Sequence, residues 1–198
     1  AYQARRSEER FYEAVELQGR AGERYPFDTG SELWTEEGRA LGRVLAAEGR
    51  EEACRGVETF RSVRTRRRRR AALDSTLTAY ERSQEWLRGL AKYAEFRLYR
   101  RAAEGSGAPP DVEYRGGTAH WSDDLDRLRG SLGQTGPERR FALSGLGQAL
   151  ALQRLVPDWK SAVLPGGRSL EELLTETCGG SGDGDPQSDG AGAPPPGG

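Results

Sequence analysis

The sequence has 198 residues, of which 35% are hydrophobic and 31% are charged, and its formal net charge is -1. These values fit one domain of ordinary size with a modest core. No run approaches the roughly 18 apolar residues that a membrane-spanning helix needs, and a net charge near zero argues against a surface built as a whole for nucleic acid. Because the sequence holds no Met, we expect translation to start upstream of Ala1, and the sequence predicts no localisation.

Apolar residues recur at helical spacing along most of the chain, and no strand or internal repeat is indicated. Polar N-cap candidates occupy 28–31, and Ser169 with Glu172 forms a capping box before the last helix. Gly145 and Gly147 lie inside a helical pattern and predict close approach by another backbone. The predicted fold is all-α, an array of five to seven helices, over the ranges 4–20, 31–48, 51–70, 72–103, 122–132, 137–155 and 169–177.

Two segments lack a helical pattern and are rich in Gly and Pro. Residues 104–118 are predicted to form a loop. The segment 178–198 has too few apolar side chains to offset the entropy lost on ordering, so a disordered C-terminal tail is predicted there. The helical domain is therefore expected to span 1–177.

Five consecutive arginines, Arg66–Arg70, follow closely after Arg64. One interpretation is a basic patch that binds phosphates. The other is a solvated helix face near a C-terminus, where cations interact favourably with the helix dipole. Five arginines in a row cover every side of a helix and no aromatic residue is interleaved, so the solvated face is favoured and nucleic acid is not a predicted partner.

Two cysteines and one histidine restrict the chemistry that the chain can support. Cys54 and Cys178 could form one disulfide, but two unpaired thiols are the favoured interpretation. They are not spaced as zinc-ligand pairs. His120 lies in the predicted Gly-rich loop and is interpreted as an exposed or loop-packing residue; a Ser/His/Asp triad could use no other histidine.

Two carboxylates, Glu37 and Glu95, lie within apolar helical patterns. A carboxylate on a core-facing stripe needs a partner such as an arginine, a metal ion or a hydrogen-bond donor. The plainer interpretation of each is a surface glutamate that pairs with a nearby arginine.

Five segments in order carry a family resemblance: AYQ at 1–3, Tyr25-Pro26, LWTEEGRALGRVLAAEGREEA at 33–53, YERSQEWLRGLAKYAEFRLYRRA at 80–102, and RRFALSGLGQALALQRLVPDWKSAVLPGGRSLEELL at 139–174. Together they resemble the C-terminal part of a group of bacterial proteins related to gluzincin-type zinc metallopeptidases. In that group an HExxH helix runs on into a segment like AYQ. The chain therefore opens as if just after the second metal-binding histidine, and it is expected to be the C-terminal portion of a larger catalytic domain.

The resemblance implies zinc held by two histidines and a downstream glutamate, with the glutamate of HExxH activating water. This sequence contains neither those histidines nor that base. Glu37 is the first choice for the downstream ligand, because it begins an E-G-x-A motif, and Glu95 is the second. Tyr93 resembles a phenol that stabilises the developing oxyanion. Arg88 departs from the family pattern, since EGLAxYxE would place its first glutamate there.

Three functions stay open at this stage. The first is a helical fragment of a zinc-dependent peptidase or hydrolase, with a peptide substrate, zinc only in the full-length protein, and no activity as given. The second is a non-enzymatic helical module that binds protein or nucleic acid through the Arg-rich helix. The third is a degenerate relative with a structural role. The first predicts an exposed apolar patch near 30–45 and 85–98, which the missing metal helix would cover.

Overall fold

The computed structural model describes residues 2–104, 115–164 and 168–179, and these ranges are helical with no strand. The predicted all-α class is confirmed. The described ranges hold eight α-helices, because the short turn after Pro157 forms a helix of its own. The helices are α1 (Tyr2–Ala21), α2 (Ser31–Ala46), α3 (Arg50–Arg70), α4 (Ser75–Glu104), α5 (Arg115–Gly130), α6 (Pro137–Leu155), α7 (Trp159–Val163) and α8 (Leu170–Gly179).

Two of the differences from the predicted boundaries change an interpretation. Helix α5 begins at Arg115, so the backbone of His120 is helical and not part of a loop. Helix α8 continues through Cys178 to Gly179, so these two residues do not belong to a disordered tail. The rest of the predicted loop and tail, 105–114 and 180–198, lies outside the described residues.

Several helices begin at residues that cap their first turn, although the capping residue is not always the predicted one. Ser169 and Glu172 form the predicted capping box: the Ser169 hydroxyl accepts from the Glu172 backbone N–H at 3.2 Å, and the Glu172 carboxylate accepts from the Ser169 N–H at 3.0 Å. The Asp74 carboxylate accepts from the Leu77 N–H and caps α4. The side-chain caps predicted for α2 are absent, because Gly30 occupies the N-cap in a left-handed conformation with φ of 80°.

The core forms where α2, α3, α4, α6 and α8 pack together. Helix α4 lies along α6, α2 lies along α3, and α8 contacts both α3 and α6. Aromatic rings fill one end of this core: Phe141 has its ring centre 5.3–5.8 Å from those of four other residues, Tyr25, Phe27, Trp34 and Tyr80. Since rings of this kind bury large apolar areas, they contribute strongly to the stability of the bundle.

Helices α4 and α6 touch backbone to backbone at Gly89 and Gly145, which confirms the close approach predicted at Gly145. A Cβ on Gly145 would lie 2.2 Å from the carbonyl oxygen of Glu85 and 2.7 Å from the Cα of Gly89. We expect Gly145→Ala to lower the free energy of unfolding by about 1–3 kcal/mol, because neither backbone can yield without moving a helix. Urea denaturation measures this, and Gly19→Ala, whose Cβ would meet no atom within 4 Å, should be neutral or slightly stabilising. Equal stabilities of the two variants would contradict the close packing.

The two regions predicted to carry an apolar patch differ in their exposure. The expectation for 30–45 is wrong, because the large apolar side chains at the predicted helical spacing are buried: Leu33, Trp34, Leu41 and Val44. In 85–98, by contrast, Leu98 has 69% of its surface exposed. None of the helices in the described part of the chain is long and apolar enough to cross a membrane.

Candidate functional site: a buried arginine–glutamate cluster and an apolar groove

The buried face of α3 changes from apolar to cationic along its length. Val57 and Phe60 lie in the core, and Arg64 and Arg67 follow on the same face at spacings of four and three residues. Arg64 has 0% of its surface exposed and Arg67 has 1%. The solvated-face interpretation is therefore wrong for Arg64 and Arg67, whereas Arg66, Arg69 and Arg70 are exposed, as that interpretation predicts.

Glutamates from three neighbouring helices surround these arginines and form what we call the Arg–Glu cluster. It joins α2, α3, α4 and α8 around one buried centre. Its members are four arginines and four glutamates: Arg64, Arg67, Arg68, Arg82, Glu37, Glu81, Glu85 and Glu171. With equal numbers of both signs, the cluster satisfies the requirement that buried charges be paired.

Arg64 occupies the centre of the Arg–Glu cluster. Its Nη1 and Nη2 donate to the two carboxylate oxygens of Glu85, at 2.8 and 2.5 Å, and its Nε donates to Glu37 at 3.0 Å. Nη2 also donates to the Ser144 hydroxyl at 2.9 Å, which in turn donates to Glu85. Nη1 also donates to Glu171 at 3.4 Å, so each of the five N–H groups of Arg64 has an acceptor, and the two-pronged contact with Glu85 makes the pairing specific.

Arg67 and Arg68 connect the cluster to α4 and α8. Arg67 Nη2 donates to Glu81 at 2.8 Å, and its guanidinium carbon lies 3.7 Å from the ring centre of Trp34. Arg68 donates from both Nη atoms to the two oxygens of Glu171, at 2.8 and 2.6 Å. These bonds tie the short helix α8 to the middle of the fold.

The arginines keep two of the buried glutamates, Glu171 and Glu81, ionised. Burial alone would raise the pKa of Glu171, but Arg64 and Arg68 lower this pKa from 4.5 to about 2. Burial likewise opposes ionisation of Glu81, and the charges of Arg67, Arg68 and Arg64 nevertheless hold the pKa of Glu81 well below its ordinary value. The carboxylates of Glu171 and Glu81 are thus held as acceptors, whereas burial raises the pKa of Glu37 in spite of the charges of Arg67 and Arg64.

These shifts make stability depend on pH in the acid range. The pKa of Glu171 is lower in the folded state, so its contribution is complete above pH 4.5 and is lost as the pH falls towards 2. We expect a loss of about 3 kcal/mol from this one group. Urea denaturation at several pH values between 6 and 2 measures it, and Glu171→Gln should show a shallower pH dependence over the same range. Identical slopes for the two proteins would contradict the assignment.

The two predicted metal ligands lie in different surroundings. The oxygens of Glu37 are buried, and each accepts from a different arginine, Arg64 or Arg67. The side chain of Glu95 is 39% exposed and pairs with Lys92 at 3.1 Å, and Lys92 also pairs with Asp124. The structure therefore does not bring Glu37 and Glu95 into one group.

As they stand, these carboxylates do not fit a zinc site. Zinc in proteins takes three or four nitrogen, sulfur or oxygen ligands, and the described residues contain no group of three or more His, Cys, Asp or Glu side chains that could hold a metal ion. Zinc at Glu37 would also have to displace two buried guanidinium groups.

Tyr93, the predicted oxyanion residue, lies in the wall of an open groove of about 550 Å³. Its hydroxyl donates to the Gln153 side chain at 2.6 Å, and its ring packs edge-on against Trp159. The groove runs between α4 and the segment from α7 to Leu164. Its apolar lining consists of Leu90, Tyr93, Ala94, Leu98, Trp159 and Leu164.

Cys54 and Cys178 form a disulfide with a Cα–Cα distance of 5.2 Å, so the interpretation as two unpaired thiols is wrong. The bond joins the start of α3 to the end of α8 across a sequence separation of 124 residues. It holds the helix that carries Glu171 against the helix that carries the arginines. Sequence spacing gave no indication of this pairing, because it depends on where α8 packs.

No family model matches this sequence, and no curated protein or solved structure matches it. The resemblance to gluzincin-type peptidases therefore stays a prediction, and so do the zinc ion and the peptide substrate that it implies.

Proposed function

We propose that these helices form the peptide-binding region of a zinc-dependent peptidase, with the metal held by residues that precede Ala1 in the full-length protein. The observation that carries the proposal is the position of Tyr93 in the wall of the apolar groove. Tyr93 has 5% of its surface exposed, and a phenol in a groove wall can bind a substrate carbonyl once its donor turns towards the groove. An open groove with an apolar floor can receive a peptide side chain.

The Arg–Glu cluster is consistent with a structural role for the buried carboxylates and a binding role for the groove. Glu37 holds α2 against α3, so this carboxylate is engaged in the fold, and the groove is the surface through which we propose that this region acts. The alternative of a binding module that uses the Arg-rich helix has less support, because Arg64 and Arg67 are enclosed and Arg68 is largely buried.

The proposal makes Tyr93 a donor to substrate. On binding, its proton would turn from Gln153 to the carbonyl oxygen of the peptide, where negative charge develops during attack by water. Loss of one such donor costs about 10²–10³ in kcat in enzymes that use them. The 198-residue chain alone should bind peptides without cleaving them.

The test compares two proteins. In the full-length protein, the coding sequence before Ala1 should end in HExxH, the purified protein should contain zinc, and Tyr93→Phe should lower kcat about 10²-fold while zinc content is unchanged. Tyr12→Phe, at an exposed tyrosine of α1, is the matched control and should leave kcat unchanged. A preceding sequence without HExxH, or equal kcat for both variants, would overturn the proposal.

A further inference from the structure

The groove has a cationic rim around its apolar floor. Arg97 and Arg101 lie one turn apart on α4, and Lys160 lies on α7; all three line the groove and are exposed. In the described part of the chain none of the three has a carboxylate partner, and Lys160 instead lies 5.3 Å from the ring centre of Tyr93. Three like charges around one groove repel each other, and an anionic ligand would relieve that repulsion.

Trp159, a residue of the groove wall, carries an unsatisfied donor in the protein interior. Trp159 has 1% of its surface exposed, and its indole Nε1–H has no hydrogen-bond partner among the described residues. A buried donor without an acceptor costs about 1–3 kcal/mol, whereas most buried polar groups in proteins are paired. The Nε1 atom is itself buried, so the preference for a ligand that is rich in acceptor oxygens rests on the cationic rim.

The spacing of the rim cations matches an extended peptide. Residues four apart on a helix are displaced by about 6 Å along its axis, and side chains two apart on an extended chain are displaced by about 7 Å. Carboxylates at alternate positions of a peptide could therefore face Arg97 and Arg101 together. The peptide side chain between the two carboxylates would project to the opposite face of the peptide. An apolar side chain next to a carboxylate could then pack on the groove floor beside Leu98.

From these observations we infer that the groove selects acidic peptides, with carboxylates at alternate positions next to an apolar side chain. This inference rests on the proposed function, because it names the substrate class of the same site. It adds a specificity that the family resemblance does not supply, and it assigns that specificity to Arg97, Arg101 and Lys160.

The experiment measures binding of three labelled peptide pools to the 198-residue chain by fluorescence anisotropy. The octapeptides are randomised except at positions three and five, which are fixed as Glu, Gln or Lys. We expect the Glu pool to bind at least tenfold more tightly than the Gln pool, and the Lys pool to bind weakest. Replacing Arg97, Arg101 and Lys160 with Gln together should abolish the preference, and the same three-charge change at the exposed Arg43, Arg69 and Arg70 should retain it.

The outcomes separate the inference from the proposed function. If all pools bind equally and the groove variant has no effect on selectivity, the inference fails while peptide binding stands. If no pool binds, and the indole N–H resonance of Trp159 is unchanged by peptide, both fail. If the chain sediments as a dimer that Leu98→Glu dissociates, a second copy occupies the groove and both fail.

Discussion

Replacing Arg64 with methionine is expected to lower the free energy of unfolding by about 3–5 kcal/mol, which is the usual cost of removing one partner from a buried ion pair. The variant keeps an apolar stem on α3 but leaves Glu37 and Glu85 without their shared cation, in a place that water does not reach. Urea denaturation followed by circular dichroism measures the loss. An unchanged m value would show that the folded state itself is retained.

The matched control lies two residues further along the same helix. Arg66 pairs with Glu36, and their side chains are 55% and 43% exposed, so Arg66→Met should change stability by about 0–1 kcal/mol. If Arg64→Met does not fold, Arg64→Lys keeps the charge but loses the two-pronged contact with Glu85, and it should remain folded at an intermediate stability. Similar values for the Arg64 and Arg66 variants would contradict a stabilising buried cluster.

The helices were predictable where apolar spacing alone determines which face is buried. In α2, Leu33, Trp34, Leu41 and Val44 recur at this spacing, and all four are buried as the pattern indicates. Helix α4 begins at Ser75, three residues after the predicted start, because Asp74 supplies the cap. Helix α7 was missed because five residues are too few to show a period.

The Arg–Glu cluster had a sequence signal that apolar periodicity does not detect. Arg64 and Arg67 continue the stripe of Phe60, and Glu81 and Glu85 continue that of Leu77, at spacings of three and four residues. Charged residues at core positions, with opposite signs on two helices, indicate a buried ionic contact. Which arginine meets which glutamate could not be predicted, because the pairing depends on how α2, α3, α4 and α8 are placed.

Only one wall of the groove could be predicted from the sequence, because the relative placement of the two walls depends on how the helices pack. Tyr93 and Leu98 belong to a broad apolar face of α4 that the sequence shows, whereas the opposite wall comes from Trp159 and Leu164, on a segment that follows a helix-ending proline. The basic rim combines residues from both walls. A groove of this kind is a property of two elements that are distant in sequence.

Reducing the Cys54–Cys178 disulfide is expected to have an effect on stability that is as large as the loss of Arg64. Closing a loop of this length restricts the unfolded chain by up to about 5 kcal/mol in the chain-entropy model, and measured losses for native disulfides are about 2–5 kcal/mol. In the folded state the bond anchors the C-terminal end of α8, whose Glu171 completes the Arg–Glu cluster. We therefore expect the reduced protein to unfold at a clearly lower concentration of guanidinium chloride.

The measurement compares denaturation of the oxidised protein, the reduced protein and the double variant Cys54→Ala/Cys178→Ala. The reduced protein and the variant should both be about 2–5 kcal/mol less stable than the oxidised protein, and adding reductant to the variant should change nothing. If both cysteines react with a thiol reagent in the oxidised protein under denaturing conditions, the disulfide is absent. If the disulfide is present but its loss changes stability by less than 1 kcal/mol, α8 is held chiefly by the contacts of Glu171 with Arg64, Arg68 and Arg82.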